Sequence, residues 1–249
     1  VEDLQQVLPP GDRVVAFDEL GRRQLVLPVL EDRPPQPFDG AVVLACFNYP
    51  YKITEAVFGR WCRVLAQVPD AVLWLLSTNE LAEANLRAAM QAHGLDPMRL
   101  VVAPELPLAD HLARLQCADL VLDTEPYNAH TTCSDALWVG VPVITRTGDT
   151  FASRVATSLL HAAGLPELAV ETGDAYVGLA VALARDRPRL AALKASLVER
   201  RLAVPLFDSV SWTRALEDLF DRMAWRQRAG LAPIALQALA APWPPSVVK

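Results

Sequence analysis

His130, Thr131, Thr132 and Asp135 lie within six consecutive positions, at the junction of a loop and a short helical pattern. The first backbone N–H groups of a helix lack intrahelical partners, and the helix dipole is positive there. A phosphate satisfies both conditions. The two threonines add hydroxyl donors, and His130 adds a donor that can carry charge. Asp135, one turn in, is placed to accept hydrogen bonds from a ribose. The same residues admit a plainer reading, in which Thr131 or Thr132 simply caps the helix.

The elements that position this cluster are legible around it. Leu120-Val121-Leu122 is an apolar run ending on Asp123, and turn-formers follow from Thr124 to Asn128. A helix is expected over residues 132–139, stopped by Gly140, and a strand over 142–145. Upstream, residues 41–47 form a continuous apolar run suited to a buried parallel strand, with 48–52 as its exit loop. Residues 54–68 have helical spacing, with Thr54 as N-cap and Val57, Trp61, Val64, Leu65 and Val68 on one face. Strands are expected at 71–76, 100–103 and 168–170. Helices are expected at 79–93 (with a Gly94 cap), 108–117 and 151–163. The pattern predicts an α/β fold, a Rossmann-like doubly wound parallel sheet. Such sheets bind ligands beyond the carboxyl ends of their strands. The exit loops at 48–52, 104–107 and 123–130 all leave such ends.

After residue 170 the chain reads as helical: 174–185, 189–201 after a break at Pro188, and 212–228 with an apolar stripe of Leu216, Leu219, Phe220 and Met223. Residues 1–40 are rich in proline and charge and read as a linker or appendage. Two short apolar runs there suit strands about the turn Leu20-Gly21-Arg22. Residues 41–230 form the expected lobe and 231–249 a proline-rich tail.

The 249 residues are 52% hydrophobic with a net charge of −6, and no basic block occurs. Nucleic acid is therefore not an expected partner. Nor is a membrane, because no apolar run reaches the roughly 20 residues needed to span one. Cys46, Cys62, Cys117 and Cys133 make no C-x-x-C pair and sit in apolar segments, as core thiols of a reducing cytoplasm do. No zinc-ligand cluster is visible. The glycine fingerprints of dinucleotide and P-loop sites are missing, and so is a G-x-S-x-G elbow. The chain opens on Val1 rather than Met, as expected of a fragment or a processed product.

The chain resembles the C-terminal half of the catalytic region of the O-GlcNAc transferase (SPINDLY-like) family. The resemblance rests on Phe47-Asn48-Tyr49-Pro50-Tyr51-Lys52-Ile53, Val72-Leu73-Trp74-Leu75-Leu76, Asn128-Ala129-His130-Thr131-Thr132 and Asp135-Ala136-Leu137-Trp138. It extends through Gly148-Asp149-Thr150-Phe151-Ala152-Ser153-Arg154-Val155-Ala156 and Pro205-Leu206-Phe207-Asp208. It implies the C-terminal lobe of a GT-B glycosyltransferase, with C-terminal helices. It also implies roles. Lys52 sits against the diphosphate and stabilises departing UDP. His130, Thr131 and Thr132 hold phosphates, and Asp135 binds ribose. His111 and Arg114, one turn apart, hold the uracil, and the backbone around Leu106 reads its edge. Tyr49 stands at a nucleotide-contact position where the family usually has Gln. Leu108 stands where it usually has Lys, and Ala129 where Gly is common. Arg154, a family hallmark, is expected to hold its loop by pairing with Asp149 or Asp123. His93 and His161 end helices, as caps or surface residues.

The reading implied is the UDP-sugar-binding lobe of an inverting protein O-glycosyltransferase that moves GlcNAc from UDP-GlcNAc to Ser or Thr. No metal or other cofactor is expected. The implied partners are the UDP-sugar, an acceptor protein, an N-terminal lobe and tetratricopeptide repeats. The alternatives are an inactive nucleotide-binding or scaffold domain, and a UDP-glucose-dependent Asn glucosyltransferase.

Overall fold

The computed structural model describes residues 14–17, 23–26, 38, 40–77 and 79–237. β1 (Val14–Phe17) and β2 (Arg23–Val26) form an antiparallel pair with Val14 opposite Val26. The turn expected between them, and most of the rest of residues 1–40, lie outside the described residues. Phe38 stands edge-on to Trp74 at 5.6 Å.

From residue 42 strands and helices alternate. The strands are β3 (Val42–Cys46), β4 (Ala71–Leu76), β5 (Leu100–Ala103), β6 (Leu120–Leu122), β7 (Val143–Arg146) and β8 (Ala169–Val170). They pair in the order β5-β4-β3-β6-β7-β8, and every pairing is parallel. All five β3 residues are buried. Side chains alternate across a strand, so both faces of the sheet are covered. The expected doubly wound α/β architecture is present. Its order reverses between β3 and β6, and that is where such sheets open a crevice.

The helices are α1 (Glu55–Gln67), α2 (Glu80–Ala92), α3 (Leu108–Leu115), α4 (Thr131–Trp138), α5 (Val155–Ala162), α6 (Gly173–Arg185), α7 (Arg187–Arg200) and α8 (Ser209–Arg228). α1 starts where Thr54 Oγ1 accepts from Val57 N. Its buried face is Val57, Phe58, Trp61, Cys62, Val64 and Leu65, worth about 1.5–3 kcal/mol for each large side chain removed from water. α1 packs against α6, and α4 against α3 and α5. Trp61 Nε1 donates to Tyr176 Oη (3.2 Å), which donates to the Asp123 carbonyl oxygen (3.0 Å). That buried chain ties the α1–α6 pair to the loop after β6. Gly140 ends α4 at φ +85°, and a Cβ there would lie 2.5 Å from Val198 Cγ2. The residue is glycine for both reasons.

Three expected elements differ. The helix read over 151–163 is a 3₁₀ turn, Phe151–Ser153, followed by α5, because Thr150 and Ser153 close a capping box around the turn. Pro188 does not precede α7 but lies inside its first turn, where its missing N–H costs nothing. Asp186 Oδ1 accepts from Arg189 N there (3.0 Å). α8 begins at Ser209, capped by Asp208, and buries no residue; Phe220 and Met223 of its expected stripe are exposed.

The chain folds as two compact units, Val1–Glu199 and Arg200–Lys249, so the division falls inside the segment read as one lobe. Among the described residues, α8 is the only helix lying wholly in the second unit, and that unit has no strand to cover the stripe. Residues 231–237 have no regular structure, and 238–249 lie outside the described residues. All four cysteines are buried free thiols. Among the described residues no helix is long and apolar enough to cross a membrane.

Candidate functional site

Two loops leave the carboxyl ends of β3 and β6 side by side. Pro50 opens a 3₁₀ turn, Pro50–Lys52, closed by Lys52 N to Tyr49 O (3.0 Å) and Ile53 N to Pro50 O (2.9 Å). The turn brings Lys52 Nζ over the second loop. It donates to the Asn128 carbonyl oxygen at 3.1 Å and stands 3.7 Å from the centre of the Tyr127 ring. Burial lowers the Lys52 ammonium below its ordinary pKa, and the Asp123 carboxylate opposes that shift.

Asp123 organises the second loop. Its Oδ1 accepts from the backbone N–H groups of Thr124 (2.7 Å) and Ala129 (2.6 Å), and Oδ2 accepts from the Thr145 hydroxyl (2.6 Å). Burial pushes its pKa up to about 7, against the pull of those donors and of Lys52. Thr124 Oγ1 donates to the Tyr127 carbonyl oxygen, and Asn128 Nδ2 to that of Thr124. Asn128 N donates to Ala152 O, which ties the loop to the 3₁₀ turn at 151–153.

The loop delivers His130 as the N-cap of α4, with no side chain capping the helix. The capping reading of the threonines is therefore overturned. Thr131 and Thr132 are the first two helical residues. Thr132 spends its hydroxyl on Asn48 Oδ1 at 2.7 Å, and Thr131 is exposed. The helix entrance keeps N–H groups that no side chain satisfies, as an anion site requires. The His130 ring lies between Tyr127 (5.1 Å) and the exposed Phe151 (6.0 Å). Asp135 is half-buried, and burial raises its pKa.

α3 supplies the opposite wall. Arg114 Nε and Nη2 lie 3.2 and 3.1 Å from His111 Nδ1. A guanidinium only donates, so Nδ1 accepts and the His111 proton sits on Nε2. Burial, aided by Arg114, pushes the His111 pKa down to about 4. Its ring meets Phe47 edge-on at 5.2 Å, and the Arg114 guanidinium covers Phe47 at 4.5 Å. Arg114 Nη1 also holds the Pro104 carbonyl oxygen, fixing the loop that carries Leu106 and leads into Leu108, both exposed. Glu105 acts on Tyr49 and raises its pKa, and the Tyr49 ring is stacked on Tyr51 at 5.8 Å.

A small cleft opens between these walls, lined by Phe47, Asn48, His111, Ala129 and Thr132 among others. His111 and Thr132 thus share one cleft, while Lys52 and His130 are linked through Tyr127. Among the described residues no group of three or more His, Cys, Asp or Glu is placed to hold a metal ion.

Several residues at the site were not singled out by their spacing. Asn48, 4% exposed, donates to Thr124 Oγ1 (2.8 Å) while accepting from Thr132. Glu125 is held by Arg60 of α1 and by Arg146 of β7, the latter at 2.8 Å. Tyr127 carries the cation contact. In sequence each is an ordinary loop residue, and a polar residue directly after a buried strand is the only signal for Asn48. The expected pairing of Arg154 is corrected. It is exposed and donates to the Gly148 carbonyl oxygen (3.2 Å), and no ion pair with Asp149 or Asp123 occurs among the described residues. Asp123 is buried, and its oxygens are taken by nearer donors.

Residues 27–216 match glycosyl transferase family 41. The chain is 39% identical over 193 residues to a UDP-N-acetylglucosamine–peptide N-acetylglucosaminyltransferase of Caenorhabditis elegans, covering 78% of this chain and 17% of that protein. It is 38% identical over 182 residues to the probable enzyme SEC of Arabidopsis thaliana, covering 73% and 19%. A variant O-GlcNAc transferase of Thermobaculum terrenum superposes with a TM-score of 0.72 at 37% identity, covering 78% of this chain and 38% of that one. TarM of S. aureus, in complex with UDP, superposes at 0.53 with 10% identity, a likeness of fold alone. The chain therefore spans under a quarter of the length of these curated relatives.

Proposed function

Because the chain belongs to glycosyl transferase family 41, we propose that it is the UDP-sugar-binding lobe of an inverting protein O-glycosyltransferase. One observation carries the reading: α4 begins uncapped beside Lys52 and His130, at the crevice where the strand order reverses.

The diphosphate lies against the first N–H groups of α4, that of Thr132 among them, with the Thr131 hydroxyl and His130 as further donors. Lys52 stabilises charge on the departing UDP while a Ser or Thr hydroxyl attacks the anomeric carbon from the opposite side. Asp135 takes the ribose. The uracil lies against the wall of Phe47, His111 and Arg114, where neutral His111 offers its Nε2–H. Tyr49 and the backbone at Leu106 border the base. The diphosphate charge is met by Lys52 and the helix end, and the reading assigns no metal. The sugar is GlcNAc, as in the names of the relatives. The acceptor, a companion N-terminal lobe and tetratricopeptide repeats complete the enzyme. A cytoplasmic setting fits the four buried thiols.

Calorimetric titration of UDP tests the reading. Lys52→Ala and His130→Ala are each expected to weaken binding about tenfold, roughly 1.4 kcal/mol. UDP binding indifferent to both changes would sink it. So would failure of the folded chain and of the full-length protein to bind UDP. Competition by UDP-GlcNAc against UDP-glucose separates this reading from an Asn glucosyltransferase. Full-length protein that binds UDP-GlcNAc and transfers nothing would identify a scaffold.

A further inference from the structure

We propose that Tyr127 is a positioning residue for Lys52, holding its ammonium over the diphosphate site through the face of its ring. The inference rests on the reading of Lys52 as the diphosphate partner.

The geometry carries it. Lys52 Nζ has two neighbours from consecutive residues of one loop: the Tyr127 ring at 3.7 Å and the Asn128 carbonyl oxygen at 3.1 Å. An ammonium has three N–H groups. One goes to the carbonyl and one faces the ring, which leaves the third for a ligand oxygen. A lysine stem is long and flexible, so aiming it without a partner is entropically costly. A ring face attracts the cation without competing as a hydrogen-bond acceptor for that third N–H.

The backbone that carries the ring is held. The Tyr127 carbonyl oxygen accepts from Thr124 Oγ1 (2.7 Å), which in turn accepts from buried Asn48 Nδ2 (2.8 Å). Tyr127 also touches His130 at 5.1 Å, so one ring spaces the two side chains assigned to phosphate. Its position is not explained by core packing, because the residue is 42% exposed. The ionisable groups acting on Lys52 are Asp123, from the loop after β6, and Cys46, at the end of β3. Both are buried, and neither substitutes for the ring as a surface that steers the ammonium outward.

The test is a double-mutant cycle with UDP as probe, alongside a ligand-free measurement. Tyr127→Leu is expected to lower UDP affinity about fivefold, while Tyr127→Phe, which keeps the ring face, stays within about twofold of the wild type. In the Lys52→Ala background, Tyr127→Leu is expected to cost nothing further. Losses that add in the double variant would overturn the proposal, because Tyr127 would then act independently of Lys52. An unchanged affinity in Tyr127→Leu would overturn it too. If Lys52→Ala alone leaves UDP affinity intact, the diphosphate assignment fails instead, and this role falls with it.

The second arm needs no nucleotide. The chain has three lysines, Lys52, Lys194 and Lys249. After reductive ¹³C-methylation, the Lys52 methyl resonance is expected upfield of the other two, displaced by the Tyr127 ring current. The displacement should vanish in Tyr127→Leu and persist in Tyr127→Phe. An undisplaced resonance in the wild type would overturn the pairing itself. Matching urea midpoints among the variants exclude unfolding as the cause.

Discussion

Thr132 Oγ1 donates a 2.7 Å hydrogen bond to Asn48 Oδ1 across 84 residues of sequence. The bond joins the two loops of the site directly, and Asn48 returns a second one through Nδ2 to Thr124 Oγ1. Asn48→Ala removes both. The part-buried Thr132 hydroxyl loses its acceptor and the buried Thr124 hydroxyl loses a donor, at about 1–3 kcal/mol together, so the variant is expected to lose that much in urea unfolding. UDP affinity should fall as well, because the α4 entrance loses its tie to the Lys52 loop. A stability change below roughly 0.5 kcal/mol would show that the bond does not hold the loops together.

His111 makes stability fall in acid. Its native pKa, about 4, lies below the unfolded value of 6.5. Between those values the unfolded chain binds a proton that the native one refuses. Stability from this group is therefore complete above pH 6.5 and is lost as pH falls toward 4. The ring is only half-buried, so water screening reduces the effect to on the order of 1 kcal/mol. In denaturant titrations from pH 7 to 4, His111→Gln should gain stability relative to the wild type by that amount. Parallel curves would refute the depression.

Asp123 acts in the opposite sense. Its native pKa, about 7, stands above the unfolded 3.8, so the native state holds the proton longer. The contribution is complete below pH 3.8 and disappears as pH rises through 7, on the order of a few kcal/mol. Between pH 4 and 6.5 it offsets His111. From 6.5 to 7 it acts alone. Asp123→Asn, which retains an acceptor for Thr124 N and Ala129 N, should flatten the decline in stability toward pH 7. A decline equal to that of the wild type would place the titration elsewhere.

Glu125 joins α1 to the end of β7 through Arg60 and Arg146. The Arg60 and Glu125 side chains are each only 15% exposed, so this pair is poorly solvated, while Arg146 is 40% exposed and regains water easily. Glu125→Gln leaves the Arg60 charge largely buried without a counter-ion, at about 3 kcal/mol. Thermal unfolding should show a drop of several degrees. A shift under about one degree would mean that water already screens the pair.

What the sequence discloses and what it conceals divide along the range of each interaction. The runs at 71–76, 100–103 and 120–122 coincide with β4, β5 and β6, because a strand covered on both faces needs unbroken apolar residues. Thr54 caps α1 as read, since a cap engages an N–H three residues away, and Asn79, read as the first residue of its helix, is the cap of α2. Thr132 reads equally well as a cap, but its true acceptor lies on another strand's exit loop. Arg154 reads as half of an ion pair, yet it braces a carbonyl six residues back. Glu125 gives no sign of its two arginines, which meet only after the sheet has set the strand order. The helical period runs on through residues 151–154, so the 3₁₀ turn there leaves no mark on the apolar pattern.

The strand order also governs how the chain comes into being. β3 lies between β4 and β6, and its partner on one edge is made long after its partner on the other. At about 5–20 residues per second, Asn48 leaves the ribosome roughly 4–17 s before Thr132. Between the synthesis of β4 and that of β6, β3 has a partner on its β4 side only. Its other edge, from a strand with every residue apolar, offers open N–H and C=O groups to any neighbouring chain. Synthesis that stalls before residue 120 leaves that edge unpaired. Such nascent chains are the ones expected to occupy chaperones, and slow translation across residues 76–119 should raise aggregation without altering the finished fold.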